Sequence, residues 1–554
     1  MNSETASLAS TREEPAPAAT MPSLPPHWRS LPRAFVHRAR ARWAAPAVAD
    51  GSGKDLSYGE LFEQAAALGR LLSRRLGAAT HVGLLVPPSV AGAVANLALA
   101  LRGKVTVNLN YTAGQDHVDS AIRQCGIHQV LASRRVVERS GIKPAAELIY
   151  LEDIPPTVTL LDRLWAAVVA RAVPVALLGF VLPGLRDDRP SSTATVLFTS
   201  GTTGEPKGVI LSHGNVLSNI RQIEVQLEPL PEEVVLGVLP YFHAMGHTVN
   251  LWAVLCLGRK AVFHFNPLDA RAVGELCRKH GVTLLFATPT FMRLYLRRCR
   301  REEFATVRRV ALGAEKLGPQ LASDLREKLG VEPLEGYGCT ELSPVVSFNV
   351  DHDVRTADGR VVPGNRLGTV GRPLSGTMIK TLDPDSGSEL ARGAEGVICV
   401  KGPQVMVGYL GLPTVTAEVL KAGWYITGDI GRIDGDGFLT LGGRLGRFSK
   451  VGGEMIPHER IEEAVRAAAG VDENDVAVTA IPDARRGEKL VVLYADLGGK
   501  SPAEISRKLI EGTLPKLWIP AVEDFIKVES IPILGNGKVD LGRLRRIAET
   551  RALA

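Results

Sequence analysis

Short β-type runs alternate with longer helix-patterned stretches through much of this chain, and that alternation restricts its fold more than any other feature. YGELFEQAAALGRLLSRRL (58–76) has apolar residues at helical spacing, and VGLLVP (82–87) is a short β run. VAGAVANLALALRG (90–103) is helical again, and VTVNLN (105–110) is a further strand. AIRQCG and HQVLAS repeat the cycle, which returns at VVLGVLP (234–240), AVFHF (261–265), VTLLFATPT (282–290) and VRRVALGA (307–314). Strands and helices joined by short turns predict a parallel sheet covered by helices.

Near residue 365 the texture changes. GTVGRPLSGTMIKTLDP, EGVICVKGP and FLTLGGR are short β segments joined by Gly and Pro turns, which predicts a small antiparallel barrel or sheet. After Arg444 it changes again. HERIEEAVRAAAG and SPAEISRKLIEG read as helices, and VAVTAIP, KLVVLYADLG and VEDFIKVESIP as strands, so a compact α+β unit is expected there. At 554 residues the chain is too long for one core, in agreement with several units. Residues 1–26, rich in Ala, Pro, Ser, Thr and Glu, have no apolar signal core and read as a disordered tail.

LFTSGTTGEPKGVILSHGN (197–215) carries the clearest chemistry. A glycine- and hydroxyl-rich loop beside a lysine suggests phosphate binding, but it is not a Walker loop. Counting from Gly201, Pro206 stands where that pattern needs its second glycine, and Gly208 replaces the hydroxyl after Lys207. The backbone N–H groups from Thr199 through Gly204 can form an anion nest. Thr199, Ser200, Thr202 and Thr203 add hydroxyl donors, and Lys207 a point positive charge.

This stretch closely resembles the signature loop of the adenylate-forming superfamily: acyl-CoA synthetases, adenylation domains of peptide synthetases, and luciferases. The resemblance covers residues 28–548 and implies that the loop (Thr199, Ser200, Gly201, Thr202, Thr203, Gly204, Lys207) holds the β- and γ-phosphates of ATP. Further motifs follow in the family's order. GYGCTELSP (336–344) implies Thr340 on the α-phosphate, Glu341 holding Mg²⁺, and Tyr337 and Gly338 at the adenine. LGAEKL (312–317) implies that Gly313, Ala314 and Glu315 line the adenine and the acyl pocket. In WYITGDIGRIDGDGFLTLGGR (424–444), Asp429 would accept hydrogen bonds from both ribose hydroxyls, and Arg444 would contact ribose or phosphate. LPYFHAMGHTVNLW (239–252) implies His243 beside the carboxylate, although a satisfied structural histidine reads equally from the residues alone. PILGNGKVD (532–540) implies that Lys538 acts on the phosphoryl group during adenylation.

The implied fold is α/β: a large N-terminal domain of stacked α/β sheets plus a small β subdomain (27–443), a hinge at 444–447, and a small mobile α+β C-terminal domain (448–554). The usual junction carries Asp or Lys as its hinge residue; Gly446 and Arg447 stand in those places here. RFSKVGGEM (447–455) resembles acyl-acyl carrier protein synthetases instead, related to the synthetase half of the bifunctional enzyme that reacylates lysophosphatidylethanolamine. Gly453 matches the glycine lining the pantetheine tunnel.

The expected activity is therefore AMP-forming ligation of a fatty acid to a phosphopantetheine thiol, on acyl carrier protein by preference, with CoA as the alternative acceptor. A catalytically silent binding or scaffold protein is the distant alternative. His458, Arg485, Arg486 and Lys489 form either a carrier-protein dock or a solvated face. His264 and Asp269 match an H-x-x-x-x-D acyltransferase pattern, read as coincidence because its partner motif is missing.

Composition excludes other classes. A net charge of +6, scattered basic residues and 5% aromatics give no case for nucleic acid. Six cysteines without C-x-x-C or zinc spacing indicate free thiols and a cytoplasmic setting. Residues 159–188 are strongly apolar between Ala172 and Gly184, a run too short to span a bilayer and interrupted by Pro174 and Pro183. They read either as a buried helix and loop or as a peripheral element on the inner face of the cell membrane, with Trp165 at the interface and Arg163 and Arg171 towards headgroups.

Overall fold

The computed structural model describes residues 22–187, 189–199, 205–355, 359–451, 454–472, 475–483, 487–512, 514–533 and 539–552. Of the stretch expected to be a tail, residues 1–21 lie outside these. The helix at 58–76 forms over its whole predicted length. Ser57 and Glu60 cap it reciprocally, and Leu61, Phe62, Ala65, Leu68 and Leu72 bury its apolar face. Helix Val90–Leu101 is apolar nearly all round and buried nearly all round, because it lies between two sheets. It touches strand Pro46–Asp50 on one side and strands His81–Leu85 and Val105–Asn108 on the other.

Those strands belong to the two large sheets of the N-terminal region. In the seven-stranded sheet, Val105–Asn108, His81–Leu85, Gln129–Ala132 and Glu147–Tyr150 run parallel, as the alternation predicts. Thr193–Thr199, Lys207–Ser212 and Gly408–Tyr409 complete it beyond Val105–Asn108. The nine-stranded sheet has a parallel centre, ordered Pro333–Gly338, Arg309–Leu312, Leu284–Ala287, Val234–Gly237, Lys260–Phe263 and Pro46–Asp50. Parallel neighbours need long crossovers, and the helices between these strands provide them. The architecture is the expected α/β one.

Two elements differ from expectation. The β run 282–290 is a strand only over Leu284–Ala287, because the Thr288 side chain caps a new helix, Pro289–Arg298, with proline in its first turn. Strand Arg372–Pro373 pairs with Val345–Phe348 of the nine-stranded sheet, so the separate antiparallel sheet begins later than residue 365, at Met378. That sheet runs through Met378–Leu382, Gly396–Lys401, Trp424–Ile433 and Leu439–Arg444.

The C-terminal unit is a five-stranded sheet built from Phe448–Val451, Glu454–Pro457, Val476–Asp483, Gly487–Tyr494 and Phe525–Lys527. Alternate residues of Val476–Asp483 enter opposite cores. Val476 and Val478 meet helices His458–Ala469 and Pro502–Glu511, whereas Ala477 and Ile481 meet Leu544 and Ala548 of helix Leu541–Ala552.

Helix Leu160–Arg171 packs Ala166, Val169 and Ala170 into the main core, joined there by Leu178, Leu182 and Leu185. Arg40 donates to the carbonyls of Val169, Ala170 and Val173 at the C-terminal end of the helix. Among the described residues no helix is long and apolar enough to cross a membrane.

Candidate active site

The strands that flank the signature loop pair as the two arms of a β-hairpin. Thr193–Thr199 pairs antiparallel with Lys207–Ser212, Thr199 facing Lys207. A Walker loop enters a helix, whereas this one enters a strand, which accounts for the departures from that pattern. A Cβ added at Gly208 would stand 3.0 Å from Phe198 and Val196, so the place of the Walker hydroxyl is taken by packing across the hairpin. Ser200, Gly201, Thr202, Thr203 and Gly204 lie outside the described residues. The stem of the loop is held from helix Gln115–Cys125: Ser120 donates to Glu205 (2.7 Å) and Gln124 to the Pro206 carbonyl (2.8 Å).

From Lys207 a chain of contacts leads into the second motif. The Lys207 ammonium lies 5.2 Å from the centre of the Tyr409 ring, and the Tyr409 hydroxyl donates to Glu341 Oε1 (2.9 Å). Thr340 and Glu341 open a short 3₁₀ turn after Gly338. A Cβ on Gly338 would fall 2.0 Å from the Pro344 carbonyl, so only glycine lets the chain double back there. Glu341 thus presents a carboxylate whose second oxygen is a suitable hard ligand for Mg²⁺.

The nucleoside end is equally connected. Asp429 is buried; Tyr337 donates its phenol to Oδ2 (2.5 Å), and Arg444 Nε donates to Oδ1 (2.7 Å). Burial, then the neighbouring Asp429, push the Tyr337 phenol well above its usual range, and Asp429 holds Arg444 more firmly protonated. A carboxylate offers about four lone-pair directions, of which these two donors use two. Asp429 can therefore still accept ribose hydroxyls, and the donor set fits a nucleoside.

Gly313, Ala314 and Glu315 follow strand Arg309–Leu312 and sit at the C-terminal ends of the parallel strands, where open α/β sheets bind ligands. Ala314 takes a left-handed φ of 69°, and Glu315 Oε2 accepts from the backbone N–H and hydroxyl of Thr290. A Cβ on Gly313 would lie 3.5 Å from the Gly336 carbonyl and 3.8 Å from Met245. Three segments that are distant in sequence therefore meet here. Met245–Ala253 is a π-helix, and His243 is exposed just before it. Lys316 reaches Glu463 of the C-terminal unit (2.8 Å), which joins this rim to helix His458–Ala469. Gly453 and Lys538 lie outside the described residues.

One member of the docking cluster is corrected by the structure. His458 is buried against Ser449 (2.6 Å), and desolvation pushes its imidazole down to about 3, so it is neither charged nor available to a partner. Lys489 pairs with Asp524 (2.6 Å); Arg485 and Arg486 lie outside the described residues. Asp269 caps helix Ala270–His280 through Ala272 N–H, a structural task that suits the coincidence reading of His264 and Asp269.

Tyr409, Ser120, Gln124 and Glu335 were not foreseen, since none stands inside a motif. Glu335 is buried behind the 313–317 loop and accepts from Leu317 N–H (3.1 Å). Desolvation raises its carboxyl from 4.5 to about 7. A raised folded value gives stability that is complete below the unfolded value and is lost as pH climbs through the folded one. Wild-type stability should fall between pH 4.5 and 7 from this group, and Glu335→Gln should remove that slope. Denaturant titrations at acid and alkaline pH should show the variant ahead by about 1–3 kcal/mol on the alkaline side only. An equal difference at both pH values would refute the assignment.

Comparison with known proteins agrees with this geometry. Residues 35–410 match the AMP-binding enzyme family. The chain is 30% identical to a feruloyl-CoA synthase of Amycolatopsis sp over 524 residues, covering 92% of this chain and 97% of that protein. It is 28% identical to a long-chain-fatty-acid–CoA ligase of Salmonella typhimurium, covering 85% and 87%. Among solved structures, ATP-bound MatB from Rhodopseudomonas palustris superposes with a TM-score of 0.75 at 27% identity, over 94% of this chain and 98% of that one. This chain belongs to the AMP-binding enzyme family and is an ATP-dependent, AMP-forming acid–thiol ligase.

Proposed function

We propose that the chain activates a fatty acid with ATP to an acyl-adenylate, then passes the acyl group to a phosphopantetheine thiol, on acyl carrier protein by preference. The observation that carries this reading is the unbroken contact path from Lys207 through Tyr409 to Glu341, beside the Tyr337–Asp429–Arg444 group. Phosphate-binding and nucleoside-binding donors stand on one rim, with the segment that carries His243 alongside. The hairpin loop 199–207 and Thr340 hold the phosphates. Gly313, Ala314, Glu315 and Gly338 form the wall against the base, and Asp429 and Arg444 hold the ribose. His243 faces the carboxylate. Glu341 would hold Mg²⁺, which would supply charge screening at the phosphates.

In this proposal the body is 27–443, the pivot lies within 444–447, and the unit 448–554 rotates between half-reactions, withdrawing Lys538 and bringing Gly453 to the thiol path. The setting is cytoplasmic. The wording RFSKVGGEM supports the carrier-protein acceptor. CoA is the second reading, favoured by the CoA-ligase names of the relatives. Thioester formation from one fatty acid, assayed side by side with holo-carrier protein and with CoA, separates the two. Faster turnover on the carrier is the expected result, and faster turnover on CoA would overturn the preference.

A further inference from the structure

Helix Leu160–Arg171 and the turns after it are amphipathic in an unusual sense, with apolar side chains on both the inner and the outer face. Leu160 is 72% exposed, Leu161 73%, Leu164 54% and Val168 57%, and beyond the helix Leu177 is 50% and Phe180 76% exposed. Single exposed leucines need no explanation, but six within 21 residues of chain form an apolar surface of the kind that marks a contact. Leu160, Leu164 and Val168 follow one another at four-residue steps and share a helical face.

The segment is fastened to the body rather than loose. Thr159 and Asp162 form a capping box, Arg70 pairs with Asp162 (3.2 Å) and stacks on Trp165 (4.7 Å), and Arg40 closes the C-terminal end of the helix. These contacts hold the apolar side chains outward. The exposed charges on the segment itself are basic, although Asp187 follows it directly. From Thr159 to Arg186 the ionisable residues are Asp162, Arg163, Arg171 and Arg186. Asp162 is buried under Arg70, whereas the three arginines are exposed. Arg171 pairs with Glu63 of the neighbouring helix (2.9 Å), and Arg163 and Arg186 face outward without a carboxylate within ion-pair distance among the described residues. Arg74 and Arg75, in the last turn of the neighbouring helix Tyr58–Leu76, are exposed as well. Apolar side chains ringed by exposed arginines match an anionic lipid surface, which takes the former into its acyl boundary and pairs the latter with headgroups.

We propose that Leu160–Phe180 is a membrane-surface element that seats the protein on an anionic bilayer without crossing it. The choice of a bilayer over a second copy of the chain rests on this charge ring, which two copies would bring face to face. It also rests, in one respect, on the proposed function, since a fatty acid is itself held in bilayers.

The test is co-sedimentation of the full chain, without substrate, with vesicles of phosphatidylcholine alone and of phosphatidylcholine mixed with phosphatidylglycerol. Wild type should bind the anionic vesicles, and added salt should weaken the binding. Leu161→Glu with Phe180→Glu should lower partitioning about tenfold or more, with melting temperature and ATP–pyrophosphate exchange unchanged. Arg163→Gln with Arg186→Gln should abolish the preference for anionic lipid. The proposal is overturned if wild type binds neither vesicle, or if the glutamate pair binds as wild type does. It is equally overturned if wild type is a dimer in solution that the glutamate pair makes monomeric. Because vesicle binding is read without nucleotide or acid, its failure is distinct from failure of the ligase reading.

Discussion

Lys538→Ala should abolish the first half-reaction and spare the second. Pyrophosphate exchange into ATP is expected to fall about 10²–10³-fold, the usual cost of one preorganised donor at a developing charge. Thioester formation from supplied acyl-adenylate should stay near wild type. As the carboxylate attacks, negative charge grows on the phosphoryl oxygens and the leaving pyrophosphate, and an ammonium placed there favours the transition state over the ground state. The segment 534–538 is flanked by a bridge between Ile533 and Val539, on the C-terminal unit. In the proposed cycle that unit turns away after adenylation, so the lysine has no task in the second step. Equal loss in both half-reactions would contradict the alternation.

Glu462→Ala should destabilise the C-terminal unit by about 3–5 kcal/mol, the range for stripping one partner from a buried ion pair. Arg447 Nη2 donates to Glu462 Oε2 (2.5 Å), and Glu462 Oε1 accepts from Val478 N–H (2.6 Å). The two side chains are 10% and 6% exposed. Removing the carboxylate leaves a buried guanidinium and a buried amide without their acceptor. Calorimetry should show a lower melting transition, and Arg447→Met in the same chain should restore part of it, since an apolar replacement of both partners removes the orphaned charge. A loss below about 1 kcal/mol would mean that the pair is relaxed or hydrated.

The same pair explains the unusual junction. Arg444 is tied to Asp429 on the body, and Arg447 to Glu462 on the C-terminal unit. Between these anchors only Leu445 and Gly446 are left, and a Cβ on Gly446 would meet nothing within 4 Å. The proposed pivot therefore narrows to these two residues, with Arg447 serving as an anchor.

Local patterns in the sequence were reliable where one element decides its own conformation. The helix Tyr58–Leu76 was legible because its apolar stripe and its Ser57–Glu60 cap agree. Strand order was not, since Val105–Asn108 pairs with Thr193–Thr199 from far along the chain and no local signal encodes that neighbour. The motif residues were legible from type and spacing. Tyr409, which links Lys207 to Glu341, was not, because its role exists only when an edge strand joins the hairpin. His458 misled for a related reason: on a charged helix it reads as surface, and only the sheet packed against it shows the burial. The segment 159–188 shows the buried inner face that one of its readings expected and also carries an exposed apolar outer one.

In the proposed reaction one cleft adenylates a fatty acid. Exchange of labelled pyrophosphate into ATP by the wild-type protein, with Mg²⁺ and a series of fatty acids, tests it most directly. Exchange should require a fatty acid and be absent without one. No exchange with any acid supplied, from protein that is folded and binds ATP, would contradict the proposed reaction and return the chain to a binding role.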